Sequence, residues 1–182
     1  MTVRGADYER KKNDAYQTPP AAVLPLLVTI PFNRKVCDPC SGAGNILKVL
    51  KARGHLVGGG DIERGYDFLN HKFRWPGYDV VTNPPFGGRS GKTAVAFVRR
   101  AIEVTAPEGS VAMLLPVDFD SGATRQSIFG MCPFFSAKIV LLNRIRWFRN
   151  QSGSINHAWY IWKHRREPSP PVILYAKQEF DS

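Results

Sequence analysis

Short apolar runs and amphipathic stretches alternate along this chain, with turn-forming residues between them. Pro19 and Pro20 suit the first turn of a helix with Thr18 as its cap, so residues 19–27 read as a short helix disturbed by Pro25. Residues 35–38 read as the end of a strand. Residues 45–53 carry helical spacing (Ile46, Leu47, Val49, Leu50) and stop at Gly54. Residues 55–60 form a second expected strand, and residues 78–82 a third, closed by Pro84 and Pro85. Residues 93–105 predict a helix with Ala94, Phe97, Val98, Ala101 and Ile102 on one face. Residues 110–117 are almost wholly apolar, as expected of a strand at the centre of a sheet. A helix is expected over 122–129, a strand over 137–142, and an aromatic strand over 155–163. After the proline-rich stretch 167–171, residues 172–175 fit either a last strand or an ordered tail.

Strands alternating with helices predict a parallel sheet covered on both faces, with ligands at the carboxyl ends of the strands. The length of 182 residues suits one domain, and no repeat, low-complexity tract or internal boundary divides residues 1–182. No apolar run approaches the ~18 residues that a membrane helix needs. The polar residues 1–14 do not resemble a signal peptide. A soluble, cytoplasmic protein is therefore expected.

Charge narrows the partner class. Lys and Arg number 25 against 15 Asp and Glu, a net charge of +10. No acidic residue occurs over 121–166, which holds Arg125, Lys138, Arg144, Arg146, Arg149, Lys163, Arg165 and Arg166. Such a stretch fits a phosphate-contacting face, or a solvated basic surface. Cys37 and Cys40 form a C-x-x-C, but no second pair completes a zinc site and Cys132 stands alone. Cys37 reads as a small apolar residue ending a buried strand, so neither metal nor redox chemistry is expected.

Three motifs follow the first three expected strands. Asp38-Pro39-Cys40-Ser41-Gly42-Ala43-Gly44 lies between a strand and a helix, where glycines let the backbone turn tightly and approach a ligand. Asp61 ends the next strand, 23 residues beyond Asp38, where nucleoside-binding folds hold a ribose hydroxyl. A carboxylate there repels phosphate and disfavours NADP. Asn83-Pro84-Pro85-Phe86 follows the third strand. Its prolines stiffen the loop, so that a carboxamide oxygen and a main-chain carbonyl can both accept from one NH2 group. Two acceptors favour the pyramidal, nucleophilic form of an amine otherwise conjugated into a ring. Phe86 can stack on a base.

Together these residues resemble the S-adenosylmethionine-dependent amino-methylating DNA methyltransferases of the N6-adenine type, over Tyr16 to about Trp162. The resemblance implies an α/β, Rossmann-like class I methyltransferase fold. Its sheet would have seven strands, mostly parallel with one antiparallel, with helices on both faces. Tyr16-Gln17-Thr18-Pro19-Pro20 is similar to the family's N-terminal cofactor-contact motif, implicating Tyr16, Thr18 and Pro19. The segment from Asp38 to Gly44 matches the cofactor loop, implicating Asp38, Pro39, Gly42 and Gly44. Asp61 and Ile62 match ribose and adenine contacts, and Asp67-Phe68-Leu69 resembles the segment flanking the cofactor adenine. Asn83, Pro84, Pro85 and Phe86 match the catalytic tetrapeptide, with Asn83 also beside the cofactor. The stretch from Ser154 to Trp162, containing His157-Ala158-Trp159, resembles late strands of phage-type and prophage-type members. The resemblance further implies direct in-line transfer of a methyl group to adenine in DNA, with no covalent enzyme intermediate. Cys40, inside the cofactor loop, is then no nucleophile.

One departure stands out. Only 96 residues follow Phe86, so no separate target-recognition domain of the usual hundred or so residues fits. Short loops must then read the target, or specificity is low, or a partner supplies it. The candidate loops are 87–92 and 143–153, the latter interleaving Arg144, Arg146 and Arg149 with Trp147 and Phe148. Adenine in duplex DNA would have to be flipped out to be reached. Competing readings are an RNA adenine or guanine amine methyltransferase, a protein glutamine methyltransferase, and a non-catalytic nucleic-acid-binding protein. The positive charge, and the mere 37 residues before Asp38, argue against the glutamine enzyme.

Overall fold

A computed structural model describes residues 16–70, 72, 75–87, 91–105, 107–147, 154–164 and 169–178. The elements run α1 (Pro20–Thr29), β1 (Lys35–Asp38), α2 (Asn45–Ala52), β2 (Leu56–Gly59), β3 (Asp79–Thr82), α3 (Lys92–Val104), β4 (Ser110–Pro116), β5 (Phe135–Leu141), β6 (His157–Lys163) and β7 (Val172–Ala176). The strands form one sheet in the order β2-β1-β3-β4-β6-β5-β7. Only β6 runs antiparallel to its neighbours, pairing β4 and β5.

Alternation of side chains across the sheet creates two cores. On one face Val36, Val81, Ala112, Leu114, Trp159 and Ile161 meet Ala22, Val23 and Leu26 of α1 and Ile46, Val49 and Leu50 of α2. On the other, Cys37, Val80, Val111, Met113, Tyr160 and Trp162 meet Ala94, Phe97, Val98 and Ala101 of α3. Helices thus cover both faces, which is why β3 and β4 are buried along almost their whole length and are apolar at Val80, Val81 and 111–115. The two tryptophans of β6 are fully buried, and each indole N–H has a carbonyl partner: Trp159 donates to Ala22 (2.7 Å) and Trp162 to Ile128 (2.6 Å).

Some local expectations differ. Thr18 does not cap α1: the N-cap is Pro19, and Thr18 is buried against the end of β3 instead. The helix also passes through Pro25 to Thr29. The segment after β4 holds a 3-10 helix, Ala123–Ile128, rather than an α-helix, because its apolar residues cluster at the end and make no stripe. The tail left open between two readings is a strand, β7, parallel to β5 at the sheet edge. Among the described residues no helix is long and apolar enough to cross a membrane.

Parallel pairing brings the carboxyl ends of β1, β2, β3 and β4 to one edge, so Asp38, Asp61 and Asn83 lie together. Because β6 is antiparallel, its first residue, His157, sits at that same edge opposite Pro116.

Candidate active site

The loop after β1 is pinned from three sides. Gly60 N–H donates to the Asp38 carbonyl (3.1 Å), and Ser41 N–H and Oγ both donate to the Gly60 carbonyl (2.8 and 2.9 Å). Gly42 N–H donates to Asp61 Oδ2 (2.8 Å), while Asp61 Oδ1 accepts from Glu63 N–H (2.9 Å). Ala43 N–H donates to Gln17 Oε1 (3.0 Å). Gly42 has φ +47°, which favours glycine, and a Cβ there would sit 2.6 Å from Gln17 Nε2, so the Gln17 amide that accepts from Ala43 would have to move. Gly44 (φ +79°) caps α2 in a left-handed conformation.

Asp38 is fully buried at the tip of β1. Its Oδ1 accepts from Thr82 Oγ1 (2.7 Å) and Cys40 N–H (3.0 Å). Burial pushes its carboxyl up to about 7, against the lowering effect of those two donors. Burial, with the Asp38 charge second, also pushes the Cys37 and Cys40 thiols well above their usual range, which keeps them protonated and unreactive.

Asn83 directs its Nδ2 back at the chain before α1, donating to the Tyr16 carbonyl (3.3 Å) and to Thr18 Oγ1 (3.2 Å). Both donors of the carboxamide face protein, and Oδ1 accepts no hydrogen bond from a described residue.

Two cavities meet here. The larger, about 690 Å³, is lined by Tyr16, Thr18, Asp38, Pro39, Gly42, Asp61, Ile62, Asp67, Phe68, Asn83 and Pro85, among others. Four carboxylates (Asp38, Asp61, Glu63, Asp67) line it, and among the described lining residues there is no Lys, Arg or His. The smaller, about 150 Å³, is lined by Pro84, Phe86, Leu114, Leu115, Pro116, Trp147, Ser154, Ile155 and His157. Tyr16 and Asn83 belong to both. Of the expected cofactor residues, Pro19 and Gly44 line neither; of the expected catalytic residues, Pro84 and Phe86 line the smaller cavity and Pro85 the larger. Phe86 meets Phe119 edge-on (5.6 Å), and Arg125 caps Phe119 (3.9 Å to the ring centre).

Spacing along the chain assigns no role to three site residues. Gln17, inside the motif at 16–20, fixes the glycine loop. Arg64 clasps the same loop, donating to the Gly42 carbonyl (3.0 Å) and Ser41 Oγ (2.6 Å). Thr82 ties β3 to β1 through Asp38. All three act across 20 or more residues, where spacing carries no information.

The expected basic face is reduced. Lys138 pairs with Asp120 (2.8 Å) and lies over Tyr160, and Arg125 donates to the Phe119 carbonyl (2.6 Å) beneath its stacking contact. Both are engaged internally, because the sheet and the 3-10 segment bury their stems. Arg144 and Arg146 are exposed beside Trp147. Phe148, Arg149, Arg165 and Arg166 lie outside the described residues, as does the centre of the 87–92 loop.

Known structures share this fold. A protein from Listeria monocytogenes described as a class I S-adenosylmethionine-dependent methyltransferase superposes at a TM-score of 0.61, with 15% identity over 87% of this chain and 62% of its own. The fold is that of the class I methyltransferases. The type I restriction-modification methyltransferase subunit from Streptococcus thermophilus gives 0.58 and 16%, over 96% of this chain and 48% of its own. A protein from Pyrococcus horikoshii described as an RNA methyltransferase gives 0.56 and 16%, over 71% and 74%. This chain therefore spans about three fifths of the first structure and about half of the second. No protein-family model and no curated protein matches the sequence.

Proposed function

We propose that this chain transfers a methyl group from S-adenosylmethionine to the exocyclic amine of adenine in DNA. The observation that carries the reading is electrostatic. In a chain of net charge +10, the described residues that line the larger cavity include four carboxylates and no basic side chain, and at Asn83 it adjoins a pocket whose described lining is aromatic and uncharged. An acidic cavity suits a cationic ligand and rejects the phosphates of a dinucleotide or of ATP. The fold's methyl donor carries a sulfonium and an ammonium, and the cavity's size is ordinary for a cofactor. The pinned glycine loop and the carboxylates of Asp38 and Asp61 would hold it. Bound there, S-adenosylmethionine supplies a methyl group on an electrophilic sulfonium.

The chain's own residues do the rest. Thr18 and the Tyr16 carbonyl hold the Asn83 carboxamide by its nitrogen, which leaves Oδ1 to accept from an incoming amine. The rigid Pro84 carbonyl is the second acceptor. As the amine attacks, its hydrogens gain positive charge and these acceptors strengthen. Phe86 and Trp147 give the base apolar walls, and the exposed Arg144 and Arg146 are poised for the backbone. Arg149 is proposed to join them.

RNA is the second reading, favoured by the fold shared with the protein described as an RNA methyltransferase. The amine chemistry is common to both polymers. Radiolabelled methyl transfer offered to DNA, RNA and protein side by side tests the proposal. Label in DNA, recovered as N6-methyladenine, is expected; label in RNA or protein and none in DNA overturns the substrate assignment.

A further inference from the structure

The edge strand β7 is poorly buried: Val172, Ile173 and Tyr175 are each more than half exposed. Two residues beyond it, Gln178 is only 1% exposed. Its side chain reaches the start of the 143–153 loop. Nε2 donates to the Asn143 main-chain carbonyl (2.5 Å), and Asn143 Nδ2 donates back to the Gln178 carbonyl (3.3 Å). A carbonyl only accepts, so this contact fixes which way the Gln178 amide points. Just before it, Leu142 N–H donates to the Ala176 carbonyl (3.0 Å). The three bonds clamp the chain where it leaves β5. Gln178 Oε1, by contrast, is buried with no hydrogen-bond partner among the described residues. An apolar side chain of similar size would avoid that unpaired oxygen, so stability alone does not account for an amide at this position.

The clamped segment leads to the smaller cavity. Ile145 is fully buried in the core that α1 and α2 cover. Arg144 Nε donates to Asn156 Oδ1 (3.3 Å), an exposed contact. Trp147 lines the cavity, its ring packed between Tyr16 (5.6 Å) and His157 (5.2 Å). Ring packing tolerates sliding, whereas the amide bonds at the other end are directional. Neither Asn143 nor Gln178 lines either cavity. On the proposed methyl-transfer reading, we infer that Gln178 is a positioning residue for target binding: its amide fixes the start of the loop that presents Arg144, Arg146 and Trp147 to the nucleic acid. The target-binding loop is thus held from the sheet edge, outside both cavities, and the cofactor site does not depend on that hold.

The test compares Gln178→Met and Gln178→Ala with the wild type and with Ile173→Thr, which weakens exposed β7 without touching the clamp. Gln178→Met keeps the side chain's size and loses its donor. It also removes the unpaired oxygen, so its melting temperature should stay near that of the wild type. Steady-state methylation of a DNA duplex gives KM and kcat, and calorimetry gives S-adenosylmethionine affinity. Both Gln178 variants are expected to raise KM for DNA about three- to tenfold, the value of one hydrogen bond, with kcat and cofactor affinity unchanged. Ile173→Thr should leave all three as they are. Acrylamide quenching of Trp147, taken as the difference from the same protein carrying Trp147→Phe, should increase in both Gln178 variants and not in Ile173→Thr. A wild-type KM in folded Gln178→Met, a KM that rises equally in Ile173→Thr, or unchanged Trp147 quenching overturns the role of Gln178. Wild-type protein that methylates no DNA overturns the underlying reading instead. The quenching measurement needs no substrate, so it still decides whether the clamp holds the loop.

Discussion

Asp61 carries the most quantitative consequence of the site. Its carboxylate lines the larger cavity, yet both oxygens already accept main-chain N–H groups, from Gly42 at 2.8 Å and Glu63 at 2.9 Å. Truncation to alanine therefore removes a negative charge from the cavity and also frees the glycine loop. Glu63 is exposed, so water replaces its lost acceptor at little cost. Gly42 is half-buried in the cavity wall, and its bond to a charged acceptor is worth about 1.5–3 kcal/mol. Part of that disorder is reversed on binding, so Asp61→Ala should weaken affinity for S-adenosylmethionine by roughly 1–3 kcal/mol, or about 5- to 150-fold. Asp61→Asn keeps one acceptor and should lose about half as much free energy. Isothermal titration calorimetry of the three proteins at pH 7.5 measures this directly, with melting temperatures to establish folding. Wild-type affinity in folded Asp61→Ala refutes the reasoning and leaves Asp61 as a turn residue only.

Further outcomes concern neighbouring groups. Asp38, raised to about 7 chiefly by burial, has a folded pKa above its unfolded value. Its stabilising contribution is full below about pH 4 and is lost as pH rises through about 7. A cationic ligand prefers the ionised form, so S-adenosylmethionine should raise the melting temperature more at pH 7.5 than at pH 5.5, and Asp38→Asn should flatten that difference; a wild-type shift independent of pH contradicts it. Thr18→Val removes one of the two acceptors that hold Asn83 Nδ2 without changing side-chain volume much. It should reduce kcat about three- to tenfold, the value of one weak hydrogen bond; steady-state kinetics with an unaltered kcat would remove Thr18 from the positioning role.

The parts of this fold legible in the sequence are those set by local pattern. The apolar run of β4, the 3.6-residue spacing of α3 and the strand before Asn83 are each decided by residues within a few positions of one another. The positions of Asp38, Asp61 and Asn83 at strand ends follow from the same signal. What the pattern missed is long-range. Nothing near His157 says that β6 inserts between β4 and β5, although that insertion brings the imidazole beside Asn83. Thr18 has the residue type of a helix cap, and only its burial beside β3 turns the hydroxyl toward Asn83. Lys138 and Arg125 read as free cations because their partners, Asp120 and the Phe119 ring, meet them only after the chain folds back.

The central claim is that Asn83 acts on the amine and not on the cofactor. Its test is a paired measurement on Asn83→Ala: S-adenosylmethionine affinity by calorimetry, and methyl transfer to DNA under single-turnover conditions. The account predicts affinity within about threefold of wild type and transfer reduced by at least about a hundredfold. Undiminished transfer by the alanine variant would contradict it.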